Sequence, residues 1–147
     1  MSMGKSKEVV NELLVEVFNQ ILTIEEDVLH QNGVKLSMSE VHVLEKIQKT
    51  ELATMGNIAK SLRITLGTLT TAINTLVKKG YVARRHDIVD RRRVFVSLTE
   101  KAEPVLMIHK EFHDKMIDAI FEDLELNKDE HLIKALEKIS EYFKNNY

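Results

Sequence analysis

The sequence has no cysteine in 147 residues, one proline and five glycines. Without cysteine there is no disulfide, no thiolate metal site and no thiol redox switch, so any metal would have to be held by histidines and carboxylates. So little proline and glycine argues against a disordered or fibrous chain and for a helix-rich globular one. No apolar run approaches the roughly eighteen residues of a membrane span, and no charged-then-apolar leader is visible. A cytoplasmic protein with no membrane partner is expected. A phosphate-cradling glycine loop and a serine elbow are missing too, and no nucleophile stands at motif spacing from the histidines. The sequence therefore gives no support to an enzyme.

What is present fits a single domain with a real core: 44% of residues are apolar and 30% charged. The net charge of −2 conceals an uneven distribution. Nine Lys or Arg and two Asp fall between Lys60 and Arg93, a local +7, while the remainder carries −9. A basic segment on an acidic body is the footprint of a surface that binds an anion such as nucleic acid.

Hydrophobic spacing divides the chain. Val10, Leu13, Leu14, Val17, Ile21, Ile24 and Val28 recur three and four apart, predicting one amphipathic helix over residues 5–31 that stops at Gly33. Helical geometry places Glu25 near the centre of that apolar stripe and Glu26 on the opposite side. Ser37 with Glu40 forms a capping box, and Leu36 with Val41 the accompanying hydrophobic staple, for a helix with Val41, Leu44 and Ile47 inward. His42 points away from that stripe, toward solvent or a different neighbour. Thr54 caps a short helix packed through Ile58, Ala59 and Leu62, and a turn at Arg63 and Ile64 leads to Thr65, the N-cap of a longer helix. Short helix, tight turn and longer helix make a helix-turn-helix.

The longer helix is expected to bury Leu66, Leu69, Ile73, Leu76 and Val77 and to expose Gly67, Thr68, Thr71, Asn74, Thr75 and Lys78. Threonine costs up to about 0.7 kcal/mol per residue in a helix relative to alanine, so this outer face is poorly chosen for stability alone. Short hydroxyl side chains let a helix approach a groove and bond to phosphates or base edges, and their methyls can meet thymine methyls. Gly80 ends the helix. Tyr81–His86 and Val94–Leu98 read as two strands joined through Asp87, Ile88, Val89, Asp90 and the run Arg91, Arg92, Arg93. An arginine-tipped hairpin can place a guanidinium in the electronegative minor groove. A long helix from Thr99 to about Leu124 carries Val105, Phe112, Met116, Ile120 and Leu124 on one stripe together with His109 and His113. Asn127 and Glu130 read as a capping box for a last helix lined by Leu132, Leu136, Ile139 and Phe143. Stripes longer than one small domain can cover point to a dimer.

These residues resemble the MarR family of winged helix-turn-helix regulators over essentially the whole chain. The resemblance is carried by a helix ending Leu76-Val77-Lys78-Lys79-Gly80-Tyr81-Val82-Ala83-Arg84, by Asp90-Arg91-Arg92, and by Leu98-Thr99 six residues beyond. The family usually has a glycine soon after that threonine, where this sequence has Ala102-Glu103-Pro104. The resemblance implies a mainly α fold with a small β-wing: a winged helix over residues 36–98 and dimerisation helices over residues 5–31 and 99–146 within one domain. It also implies a homodimer bound to a palindromic double-stranded DNA operator, with Asp90 at the wing tip orienting Arg92 into the minor groove. Thr65, Thr68, Thr71 and Asn74 are the expected base readers, and Lys78, Arg84, Arg91 and Arg93 the expected phosphate contacts.

Two subgroups of the family are close. Ile24–Glu26, Thr65–Tyr81 and His109–His113 resemble repressors of fatty-acid synthesis genes, which implies a long-chain acyl-acyl carrier protein as corepressor and no required cofactor. Glu25, His42, His109 and His113 are similar to the regulatory zinc site of zinc-uptake repressors. Histidines at i and i+4 share a helix face and can bind one metal. They can equally bond to Glu25 and form the polar mouth of an apolar effector pocket.

Overall fold

The computed structural model describes residues 2–147. Its elements are α1 (Met3–Glu12), a π-helical segment (Leu13–Val17), α2 (Phe18–Gln31), α3 (Met38–Lys49), α4 (Met55–Leu62), α5 (Leu66–Lys78), β1 (Val82–His86), β2 (Val94–Leu98), α6 (Ala102–Leu124), a 3₁₀ turn (Leu126–Lys128) and α7 (Glu130–Asn146). Two compact units divide within α6, the first ending at His109 and the second beginning at Lys110.

The core of the first unit is built from the stripes the sequence marks. Leu29, Leu36, Val41, Leu44, Ile58, Leu69, Ile73, Leu76 and Val105 are fully buried, so α2, α3, α4, α5 and the start of α6 share one apolar cluster. Each fully buried aliphatic side chain contributes about 1.5–3 kcal/mol relative to exposure. The α2 helix ends in Gly33, whose φ of 78° suits only glycine without strain. The Ser37–Glu40 capping box forms in both directions: the Ser37 hydroxyl accepts from the Glu40 amide at 3.2 Å, and the Glu40 carboxylate accepts from the Ser37 amide at 2.9 Å. Glu40 also accepts from Lys79 Nζ at 3.0 Å, and Lys79 donates to the Lys35 carbonyl at 3.1 Å. One carboxylate thus ties the start of α3 to the end of α5.

The strands pair antiparallel from Val82 opposite Leu98 to His86 opposite Val94. A bridge between Thr54 and Phe95, with the Val96 amide donating to the Ala53 carbonyl at 2.9 Å, fastens the hairpin to the residues before α4.

Several expectations need correction. Helix α6 begins at Ala102 rather than Thr99, because Thr99 is tied to the turn before β1: its hydroxyl donates to the Gly80 carbonyl at 2.6 Å and its amide to the Tyr81 carbonyl at 3.0 Å. The cap of α7 is Asp129, whose carboxylate accepts from the Leu132 amide at 3.0 Å; Asn127 lies inside the preceding 3₁₀ turn. Leu66 is exposed, since as the first residue of α5 it precedes the turn that meets the core. Glu26 is half-buried rather than on an open face, and its carboxylate accepts from the Met38 amide at 3.3 Å.

Along α1 and the π-helical segment no residue is buried. Val9, Val10, Leu13, Leu14 and Val15 are exposed, as is Phe18 at the start of α2. In the second unit Ile117, Ile120, Leu124, Leu136 and Phe143 are exposed as well.

Candidate nucleic-acid interface

The turn before α5 stands on Arg63, which adopts the left-handed region at φ 57°. That conformation costs a non-glycine residue roughly 1–2 kcal/mol. Its return is the Ile64 amide bond to the Ala59 carbonyl at 3.1 Å, which closes α4 and turns the chain toward α5. Thr65 is extended and accepts from the Thr68 amide at 3.1 Å, so the predicted N-cap is present.

On α5, Leu69, Ile73 and Leu76 are buried, while Gly67, Thr68, Thr71, Asn74 and Lys78 are exposed. A Cβ added at Gly67 would meet nothing closer than the Thr65 hydroxyl at 4.0 Å. The fold itself does not require glycine there. A glycine that costs up to about 1 kcal/mol in a helix without an internal steric reason suits a surface that something else approaches.

Several threonine hydroxyls of α5 donate within the helix itself. Thr70 donates to the Leu66 carbonyl at 2.8 Å, Thr71 to the Gly67 carbonyl at 3.2 Å, Thr75 to the Thr71 carbonyl at 3.2 Å, and Thr65 to the Thr68 hydroxyl at 2.9 Å. A hydroxyl has one hydrogen, so Thr65 and Thr71 present lone pairs and methyls outward. Only after reorienting could they donate to a phosphate.

The connection between the strands is closed by its own aspartates. The Asp87 amide donates to the Arg93 carbonyl at 2.9 Å, and the Asp87 carboxylate accepts from the Val89 amide at 3.2 Å and faces the Arg93 guanidinium at 3.9 Å. Asp90 accepts from the Arg92 amide at 3.0 Å through its carboxylate and from the Arg93 amide at 3.0 Å through its carbonyl. The Asp90 carboxylate therefore fixes the backbone that carries Arg92 and engages its amide. His86 Nδ1 lies 3.0 Å from the Arg91 carbonyl, which only accepts, so Nδ1 carries the hydrogen.

The cations of the segment divide by what they touch. Lys79 is held by Glu40. Arg93 faces Asp87, and both Arg93 and Arg85 lie over the Phe95 ring, at 5.4 and 4.5 Å from its centroid. Arg84 Nη1 donates to Asn74 Oδ1 at 2.6 Å, joining the wing's first strand to the reading helix. Lys78, Arg91 and Arg92 are exposed.

Away from this surface, Glu25, His42 and His109 come together in the first unit. Glu25 is 3% and His109 4% exposed. His109 Nδ1 lies 2.7 Å from Glu45 Oε1, and Nε2 lies 3.4 Å from Glu25 Oε1. The His42 ring centroid is 6.2 Å from that of His109, so His42 faces a neighbour other than its own helix stripe. His113 follows His109 by one turn of α6, is half-buried and belongs to the second unit. Glu45 is the residue the sequence reading missed. Its position three residues after His42, on the same helix face, was the available signal. Ligand atoms of His42, Glu45 and His109 all lie within 4.8 Å of one another. Among the described residues, no buried side-chain nitrogen or oxygen lacks a hydrogen-bond partner.

The sequence profile of the MarR family matches residues 36–94. The structure of Streptococcus pneumoniae FabT in complex with DNA superposes with a TM-score of 0.83 at 31% identity, covering 96% of this chain and 99% of that one. The transcriptional regulator AdcR of Streptococcus pyogenes is 35% identical over 88 residues, 60% of this chain and 59% of AdcR. The transcriptional regulator ZitR of Lactococcus lactis is 33% identical over 87 residues, 59% of each chain.

Proposed function

This chain belongs to the MarR family, and on that premise we propose that it works as a homodimeric transcriptional repressor that reads a palindromic DNA operator. The fold and the relatives are those of regulators, not enzymes. The observation that carries the DNA reading is the pairing of an exposed small-residue face on α5 with an exposed arginine at a wing turn closed by Asp90. The likeness to FabT, whose structure contains DNA, supports it. In this reading Thr65, Thr68, Thr71 and Asn74 face the major groove, Arg92 enters the minor groove, and Lys78 and Arg91 hold phosphates. The exposed apolar residues of α1, α2, α6 and α7 supply the dimer interface. An effector would act by favouring the dimer in which the two reading helices match successive major grooves. Arg92→Ala is expected to weaken operator binding at least about tenfold while leaving the dimer intact. Unchanged affinity in a gel-shift titration contradicts the wing assignment.

The regulated genes in this proposal are those of fatty-acid synthesis, with long-chain acyl-acyl carrier protein as corepressor; the segments around Glu25, α5 and His109 support it. A second reading, zinc regulation of metal uptake, is favoured by the donor set at His42, Glu45 and His109, since two imidazoles and a carboxylate suit zinc. When bound, zinc would be held by these residues, with Glu25 beside His109. The two readings separate in one titration. Acyl carrier protein loaded with a long chain raises operator affinity if the first holds. Zinc raises it, and His109→Ala removes that response, if the second holds.

A further inference from the structure

Arg84 and Asn74 were expected to act separately, one on phosphate and one on a base. Their 2.6 Å hydrogen bond joins two exposed side chains that the fold brings from different elements, ten residues apart in sequence. A guanidinium has no acceptor, so the atom of Asn74 that faces it must be the amide oxygen. The orientation of the Asn74 amide is thereby fixed, with its oxygen toward the wing and its NH₂ turned away.

The geometry points to Arg84 and Asn74 as one reading unit, each side chain holding the other in place and together presenting donors, with guanine as the base it selects. Resting on the DNA-reading proposal above, this specifies what one position of the operator contains. An asparagine with a free amide offers one donor and one acceptor and pairs with adenine through N6 and N7. With its oxygen turned toward the wing and one lone pair engaged by Arg84, Asn74 presents its NH₂ hydrogens on the other side, and the guanidinium beside it offers its remaining N–H groups. Guanine alone presents two adjacent acceptors, N7 and O6, in the major groove. Arg84 reaches this position only because it stands on β1, opposite Val96, where the sheet holds its backbone. The neighbouring Arg85 lies instead over Phe95, on the other face of the strand, and cannot substitute.

The test is selection of binding sites from a randomised DNA pool by the full-length protein, repeated with Asn74→Ala, Arg84→Met and the double variant. Both side chains are exposed, and thermal melting of each variant at the wild-type temperature establishes that the fold is kept. The wild-type site is expected to show roughly a tenfold preference for guanine at one position per half-site. Asn74→Ala flattens that position. Arg84→Met flattens it or turns it toward adenine, and the double variant loses no more than Asn74→Ala does. If Arg84→Met weakens all sequences equally and keeps the guanine preference, Arg84 is a phosphate contact and the inference is wrong. Preference for adenine in the wild type also overturns it. Should the wild type enrich no sequence at all, the DNA reading fails and this inference with it. That outcome is distinct from the others because no position is then selected.

Discussion

In the reading helix Leu69, Ile73 and Leu76 are fully buried, and Lys78 with Arg92 of the wing lies in water. Along the first two helices the order is inverted. Leu13 and Phe18 are 51% and 55% exposed, while Glu25 is among the most buried residues of the chain. The first arrangement covers its apolar residues within the chain; the second leaves apolar residues in water while a carboxylate is buried. Apolar area left in water is an unspent driving force of roughly 25 cal/mol per Å². A buried carboxylate is tolerated only with hydrogen-bonding partners. The difference separates a part whose apolar residues are covered within one chain from long helices whose exposed apolar residues are covered only by the second copy proposed above.

The largest expected effect comes from breaking that second copy away. Leu13→Glu together with Phe18→Glu puts charge on the exposed stripe without touching the buried core. Sedimentation is expected to report a monomer, and affinity for a two-half-site operator should fall about a hundredfold or more as the linkage between half-sites is lost. A dimer of unchanged affinity would place the interface elsewhere. A smaller effect, on stability, probes the sequestered charge. His109→Leu removes the ring between Glu25 and Glu45 and is expected to cost about 3 kcal/mol in denaturant unfolding, because Glu25 remains buried without that partner. Adding Glu25→Gln should recover most of it. An unshifted midpoint would show that His109 does not support the carboxylates. The smallest effect is at the start of α3. Ser37→Ala removes one half of the capping box, and unfolding should register about 1 kcal/mol with DNA affinity unaltered.

The same inversion explains what could be read from the sequence. Where each stripe is buried within one chain, the spacing of apolar residues located the helices and their inward faces, as at Val41, Leu44 and Ile47 or Leu69, Ile73 and Leu76. The caps at Ser37, Thr54 and Thr65 were legible because each is a local bond three residues long. The start of α6 was not, because Thr99 is withheld from the helix by Gly80 and Tyr81, residues far from it in sequence. Asn127 and Asp129 are both good caps, and the choice between them depends on a 3₁₀ turn that leaves no periodic signal. On α5 and the hairpin, residue type singles out Asn74, Arg84, Asp90 and Arg92 as candidates, but the pairing of Arg84 with Asn74 is tertiary. Glu45 was overlooked because a lone glutamate on an amphipathic helix reads as solvated until His109 is placed beside it.

In the proposed function, an exposed face of α5 and the wing of two copies read one stretch of duplex DNA. This is tested most directly by measuring, at physiological salt, the affinity and stoichiometry of the purified protein on a fragment of its own promoter region against a scrambled fragment of equal length. Two chains per operator and a preference of about a thousandfold or more for the promoter fragment are expected. Equal binding to both fragments would contradict it.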